Sequence, residues 1–276
     1  MAPRIQIHIW GGFGSQLYGL AVAYQIQSLK QSKRITLVFH TAGVTKRELE
    51  ICEFIGHNFS IRVIDDFAPA TTVSAGNIKR SLTRDLFKGI LKRLKLIMDA
   101  ESIDDLTKIA PWTLQVRGHY SHICFDPNVI GLVAKSLIIE KDYFEPKTLA
   151  IHFRLGDLMF LDKASVSSVD ISDLAIETNQ INKIDLYSET PTEALKRIKN
   201  MPGVLIQSHG SETSTVQVLR SCVNANFFVG TNSKVSFWTV IFRCYQDKSH
   251  NYLPKSQREN IYRNLDDSQR KLVTFF

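Results

Sequence analysis

The stretch "IHIWGGFGSQLYGLAVAYQI", residues 7–26, sets Gly11, Gly12 and Gly14 at the junction of two differently patterned runs. Before the glycines, "RIQIHIW" alternates and is rich in Ile, the pattern of a strand. After them, Leu17, Leu20, Ala21, Tyr24 and Leu29 recur at mostly helical spacing, and "ITLVFH" follows as a second buried strand. Strand, glycine turn, helix and strand open a parallel α/β sheet, in which ligands sit at the carboxyl ends of strands. The dinucleotide fingerprint is incomplete, with Leu17 in place of its third glycine and Phe39 and His40 where an acidic residue is needed. A nicotinamide site is therefore disfavoured. The turn serves either tight strand-to-helix packing or close approach of a ligand.

Composition narrows the classes. With 276 residues, 44% hydrophobic and 22% charged, the chain can bury a substantial core as one compact domain or two small ones. Cys52, Cys124, Cys222 and Cys244 are widely spaced, which fits reduced buried thiols better than a disulfide or zinc framework. No run approaches the roughly 18 apolar residues of a spanning helix, and "MAPRIQIHIW" lacks a secretory apolar block. The expected location is the cytoplasm, with at most peripheral attachment to the inner face of the membrane. A net charge of +7 invites an anionic partner. The most cationic segment, residues 79–98, sets seven Lys and Arg against Asp85 alone and reads as one basic amphipathic helix. Such a helix can lie on an anionic membrane surface, although a solvated face over a buried one is the commoner use. Nucleic acid is not an expected partner, since no zinc-finger spacing, stacking-aromatic motif or basic tail is present.

Further along, His119, His122 and Cys124 lack a second half-site with ligand spacing, so no metal site is expected. Pro146 marks a boundary between residues 1–145 and 146–276, after which "TLAIHFR" reads as a buried strand ending in His152, Arg154 and Asp157 around Gly156. An arginine fork at a strand end can hold two phosphate oxygens at once; the ordinary alternative is pairing of Arg154 with Asp157. A polar loop is expected over roughly 161–185. The segments "SETPTEALKRIKN", "GVLIQSHG", "SETSTVQVLRSC" and "NFFVGTNSKVSFWTVIFRC" then read as helix, buried strand, helix and strand–turn–helix. Ser211, Thr231, Asn232, Ser233 and Ser236 fall on the turns, where they can cap helices or hold phosphate oxygens.

In this order the pieces resemble the α-1,2-fucosyltransferases of bacterial surface-polysaccharide synthesis, within the GT-B fucosyltransferase superfamily. Gly11, Gly12, Phe13, Gly14, Ser15 and Gln16 are similar to that family's opening G-G-x-G-N-Q. Gly118 to Ser121 look like a divergent G-Y-F/W-Q, and His152 to Asp157 (HFRLGD) resemble H-x-R-R-G-D. Thr231 to Trp238 (TNSKVSFW) resemble the late S-N-S-S-F-S-W-W. Residues 40 to 115 carry none of the likeness. Leu155 stands where the family has its second arginine, Ser15 replaces the asparagine, and Ser208, His209 and Gly210 replace S-D-D.

The resemblance implies a GT-B-like α/β fold of two Rossmann-like lobes facing a cleft, with the acceptor on lobe 1–145 and the nucleotide-sugar donor on lobe 146–276. It implies an inverting glycosyltransferase using GDP-fucose to extend a surface glycan or lipid-linked oligosaccharide, without an obligatory metal or other cofactor. Arg154 would stabilise the departing diphosphate, and Gly12, Gly14, Gln16, Ser208, Asn232, Ser233 and Ser236 would line the donor. The general base stays open among Asp157, His152 and His119. Three alternatives remain: the same fold with another nucleotide sugar, a catalytically silent sugar-nucleotide or glycan-binding subunit, or a peripheral membrane module built around the basic helix, with salt-sensitive binding to anionic vesicles and no nucleotide affinity.

Overall fold

A computed structural model describes residues 4–30, 34–42, 46–55, 58–67, 82–136, 145–155, 168–174, 176, 180–200 and 203–276. Asp157 and its neighbour Gly156 lie outside these residues. The chain divides into two compact units, Met1–Leu137 and Ile138–Phe276.

Unit 1 is built on β1 (Arg4–Trp10), α1 (Phe13–Leu29) and β2 (Arg34–His40). It continues through α2 (Cys52–Ile55), β3 (Ser60–Ile64), α3 (Leu82–Arg93), β4 (Ile97–Asp99), α4 (Ile103–Thr107), β5 (Gln115–Arg117) and α5 (Pro127–Ser136). The five strands form a parallel sheet in the order β3-β2-β1-β5-β4. Ile5, Ile7 and Ile9 bury one face of the central strand, as the alternation predicts. α1 is apolar nearly all round and correspondingly buried along most of its length, whereas Leu29 at its end is exposed. Gly19 is what lets this helix lie so close to the sheet, because a Cβ there would come within 2.1 Å of Ile9 Cδ1.

The basic segment differs from the single helix expected over 79–98. Its helix ends at Arg93, Lys95 turns the chain at φ 55°, and Ile97 and Met98 belong to strand β4. A non-glycine residue at positive φ breaks helical propagation, and the β-branched Ile97 then pairs with Gln115 of β5.

Unit 2 contains β6 (Glu145–His152), β7 (Val169–Asp170), β8 (Lys183–Tyr187), α6 (Pro191–Leu195), β9 (Ile198–Lys199), β10 (Leu205–His209) and α7 (Thr215–Asn224). After these come β11 (Ala225–Gly230), α8 (Lys234–Cys244), β12 (Asn251–Leu253), α9 (Arg258–Arg263), α10 (Asp267–Arg270) and β13 (Val273–Phe275). Its main sheet is parallel in the order β10-β8-β6-β11-β12-β13, and β7 pairs β9 separately. The expected loop over 161–185 contains β7 and the start of β8, whose Ile184 and Leu186 are fully buried in the sheet. The strand expected to be buried, β10, is instead an edge strand with mostly exposed residues. The helix expected in "SETPTEALKRIKN" is one short turn, because Ile198 is drawn into pairing with Val169. Each unit is thus an α/β layer with a parallel sheet, the architecture the opening stretch predicts.

Candidate functional site at the carboxyl ends of β6 and β11

β6 and β11 are neighbours in register, with His152 opposite Gly230, so both chains leave the sheet side by side. From β6 emerge Phe153 and Arg154; from β11 emerge Thr231, Asn232 and Ser233, which lead directly into α8. Ser233 caps that helix, its hydroxyl accepting from the Ser236 N–H at 3.0 Å. Gly230 makes the approach possible, since a Cβ at that position would stand 2.7 Å from Ser236 Cβ and 2.7 Å from Leu253 Cδ2.

A chain of short side chains fixes the turn. The Ser233 hydroxyl donates to Ser236 Oγ at 3.1 Å, and Ser236 Oγ lies 2.8 Å from His152 Nδ1. Ser236 Oγ also accepts from the Thr231 N–H at 3.2 Å. The Thr231 hydroxyl in turn donates to the His152 carbonyl at 3.2 Å and accepts from the Arg154 N–H at 2.9 Å. Burial, then the nearby Arg154 charge, push the His152 pKa down to about 3. The ring is consequently neutral, which matches an Nδ1 that accepts from Ser236. His152, Ser236 and Thr231 are all buried and hold the backbone of this turn in place.

Charge is supplied at the rim. The half-buried Arg154 guanidinium pairs with Glu189, two residues beyond β8. Lys234, the first residue of α8, has its ammonium pKa lowered by burial. Lys234 opens α8, whose amino terminus carries the positive end of the helix dipole, and the Arg154 backbone N–H bonds Thr231 in the turn before that helix, a combination suited to an anion. Asn232 is oriented by Gln257, whose side-chain N–H donates to Asn232 Oδ1 at 2.5 Å.

The structure therefore brings His152, Arg154, Asn232, Ser233 and Ser236 together. Ser208 lies apart, exposed on edge strand β10 opposite Leu186. Beside it, His209 bonds Asp185 at 3.0 Å and stacks on Tyr187. Leu155 is fully buried in the unit 2 core, facing away from solvent rather than standing in for a site cation. Glu189, Lys234 and Gln257 escaped the sequence reading. Lys234 was the legible one, since it interrupts the serine-rich late motif, whereas nothing local to Gln257 marks it.

In unit 1 the glycine turn has a geometry of its own. Gly11 adopts φ +106°, where an added Cβ would lie 2.7 Å from Ser15 Oγ, and Gly12 precedes α1 in extended conformation. Gly14 is buried in the first turn of α1. Gln16 is buried and its amide is taken up by backbone: Nε2 donates to the Glu48 carbonyl at 2.7 Å, and Oε1 accepts from the N–H groups of Glu50 and Ile51 at 3.0 and 3.2 Å. It staples the turn to the following loop. Arg47 from that loop comes within 3.9 Å of the position a Gly12 Cβ would take.

Beside the turn, Trp10 and His40 are register partners at the ends of β1 and β2, with rings stacked at 4.3 Å. His40 Nδ1 lies 2.7 Å from Asp66 Oδ2 and its Nε2 lies 2.9 Å from His8 Nδ1, so both nitrogens are engaged. Burial first, then the charges of Arg117, His40 and Arg62, bring the His8 pKa down to about 4.

Among the described residues, no three His, Cys, Asp or Glu side chains gather as a metal site, and no helix is long and apolar enough to cross a membrane. No protein-family model and no curated protein matches the chain. Among solved structures, POFUT1 in complex with GDP aligns at TM-score 0.41 and 11% identity, covering 88% of this chain and 95% of that one. A glycosyl transferase family 9 protein from Veillonella parvula DSM 2008 aligns at TM-score 0.40 and 8% identity, covering 91% of this chain and 80% of that one.

Proposed function

We propose that unit 2 binds the diphosphate of a nucleotide sugar and that the chain is an inverting glycosyltransferase of the GT-B kind, with GDP-fucose as donor. The observation that carries this reading is that Arg154 leaves β6 bonded through its backbone to Thr231, while Asn232, Ser233 and Lys234 lead into α8, at the carboxyl ends of two adjacent parallel strands. In the reaction, an acceptor hydroxyl of a glycan or lipid-linked oligosaccharide attacks the anomeric carbon of the sugar. The bond from that carbon to the diphosphate oxygen breaks, its electron pair leaves with the nucleotide, and the hydroxyl proton passes to a base. Charge grows on the leaving diphosphate, so a fixed guanidinium and a helix amino terminus lower the barrier without moving. His152 is a positioning residue in this scheme: buried and neutral, it holds Ser236 and thereby the turn. In the absence of donor Arg154 is held by Glu189, and a diphosphate competes for the same guanidinium.

A second reading, the same fold with a base other than guanine, is favoured by the strand end at Ser208. Asp185, on the neighbouring strand, is already committed to His209 and Lys183, and Glu212 just beyond the strand accepts from the Gly210 N–H.

Thermal shift against GDP, UDP, CMP and their sugar conjugates tests both readings. A ligand at a hundred times its dissociation constant raises stability by about 2.7 kcal/mol. A shift selective for GDP or GDP-fucose and lost in Arg154→Ala is the expected result. Selectivity for another nucleotide replaces the donor, and equal shifts in wild type and Arg154→Ala refute the site.

A further inference from the structure

We infer that the strand-amino-terminal end of unit 1 is a docking surface for an anionic phospholipid bilayer. Because helices run antiparallel to the strands they connect, the end of α3 and the loops entering β4 and β5 meet at this end of the sheet. Four large apolar side chains there are open to solvent: Ile90 is 54% exposed, Leu94 57%, Trp112 57% and Leu114 50%. They form one connected ridge. The Trp112 indole N–H donates to the Leu94 carbonyl at 2.9 Å, the Thr113 hydroxyl to the Lys95 carbonyl at 2.8 Å, and the Leu114 N–H to the Leu96 carbonyl at 2.9 Å. With its N–H satisfied by backbone, the indole presents its apolar ring outward, the use to which Trp is put at membrane interfaces.

Charge says what covers the ridge. Arg93 and Lys95 flank Leu94, and both are exposed. Arg4 and Arg34, also exposed, start the register of β1 with β2. The strip reaches them because the Gln6 N–H donates to the Leu114 carbonyl. No acidic residue occurs in residues 90–95 or 108–114. Asp99, the last residue of β4, is paired with Lys92. A protein partner would be expected to bring acids of its own; a leaflet of anionic lipid supplies both hydrocarbon for the ridge and phosphate for the rim, each nearby cation adding attraction within a Debye length. The helix end is therefore not the covered amphipathic face of an ordinary core helix, since Ile90 stands out of the core.

The experiment is flotation of the whole chain with vesicles of phosphatidylcholine alone or with 30% phosphatidylglycerol, at low and high salt. Wild type is expected to float with the anionic vesicles, at least tenfold less with the neutral ones, and to be released by salt. The tryptophan emission should shift to the blue on binding, a signal lost in Trp112→Ala. The double variant Leu94→Ser/Trp112→Ala, with an unchanged circular dichroism spectrum and melting curve, is expected to lose flotation. Because both sites are solvent-exposed, this variant should fold; if it does not, Arg93→Glu/Lys95→Glu makes the same test through charge. Equal flotation of wild type and variants, no flotation at all, or a dimer in solution that Trp112→Ala dissociates would each overturn the inference. None of these outcomes depends on nucleotide binding, so the proposed activity stands or falls separately.

Discussion

Arg243 is fully buried and, among the described residues, is bonded to an amide oxygen and carbonyls rather than to a carboxylate, which makes its replacement the sharpest test of what holds unit 2 together. Its Nε donates to Asn251 Oδ1. Its Nη1 faces the carbonyls of Cys222, Val223 and Ala225 at 3.1, 3.2 and 2.6 Å, and its Nη2 those of Asn226 and Ser249, both at 3.0 Å. Four of those carbonyls belong to the end of α7 and the start of β11, so the guanidinium neutralises a helix carboxyl terminus as it closes the turn into the strand. In Arg243→Met the hydrophobic stem is kept and every donor is lost. A buried acceptor left unsatisfied costs about 1–3 kcal/mol. Two or three of the six acceptors will find no substitute, while the desolvation of a buried cation, which burial registers by drawing the Arg243 pKa down to about 10, is recovered. The net expectation is a loss of about 4 kcal/mol, a large share of the roughly 5–15 kcal/mol that keeps a domain folded. Arg243→Lys, with three donors and the charge retained, should lose about half as much. Urea unfolding followed by Trp238 fluorescence, in a background with Trp10 and Trp112 changed to Phe, reads unit 2 directly. A loss below about 1 kcal/mol in Arg243→Met, with an unaltered denaturant slope, would refute the account of the guanidinium as a carbonyl clamp.

Two further perturbations follow from the same physics. His152 and His8 have folded pKa values of about 3 and about 4, below the ordinary 6.5, so the unfolded chain takes up protons first as the medium is acidified. Stability is fully present above pH 6.5 and falls on acidification towards pH 4, by ~2 kcal/mol per histidine at pH 5. An unchanged urea midpoint between pH 7 and 5 would contradict this, and His152→Gln should flatten the slope. Gly230→Ala drives a methyl into Ser236 and Leu253 and should cost ~2 kcal/mol by overpacking. Its effect on nucleotide affinity should exceed that of Gly19→Ala, which disturbs unit 1 instead; equal effects on calorimetric titration with GDP would dissociate the Gly230–Ser236 contact from the site.

Much of the architecture was legible because hydrophobic periodicity is local. The run Ile5, Ile7, Ile9 and the block Leu17 to Ile26 betray strand and helix without reference to anything distant. Where the reading missed, the deciding contact was remote. Ile97 and Met98 continue the apolar spacing of α3, and only pairing with β5 draws them into a strand. "KIDLY" looks polar because Lys183 and Asp185 pair with each other, leaving Ile184 and Leu186 for the core. The site divides the same way. His152, Arg154, Ser233 and Ser236 were visible as polar residues closing apolar runs, and the structure gathers them. Glu189 and Gln257 come from elements far along the chain, and Gln16, conspicuous after the glycines, spends its amide on residues 48–51. The stack of Trp10 on His40 needs the register of two parallel strands, which no single segment encodes.

Every strand pairing described here is parallel, and in each unit the earliest long strand is central. β1 pairs β2 about thirty residues further along the chain, but its other edge waits for Gln115 and Val116. β6 likewise meets β8 first and β11 only after residue 225. At a synthesis rate of about 5–20 residues per second, the open edge of β1, flanked by Ile5, Ile7 and Ile9, is presented for ~5–20 s on each nascent chain before its neighbour emerges from the ribosome. The growing protein thus carries an unprotected, strongly apolar template through most of the making of unit 1, and in the cell its yield will be governed by whatever shields that edge during translation.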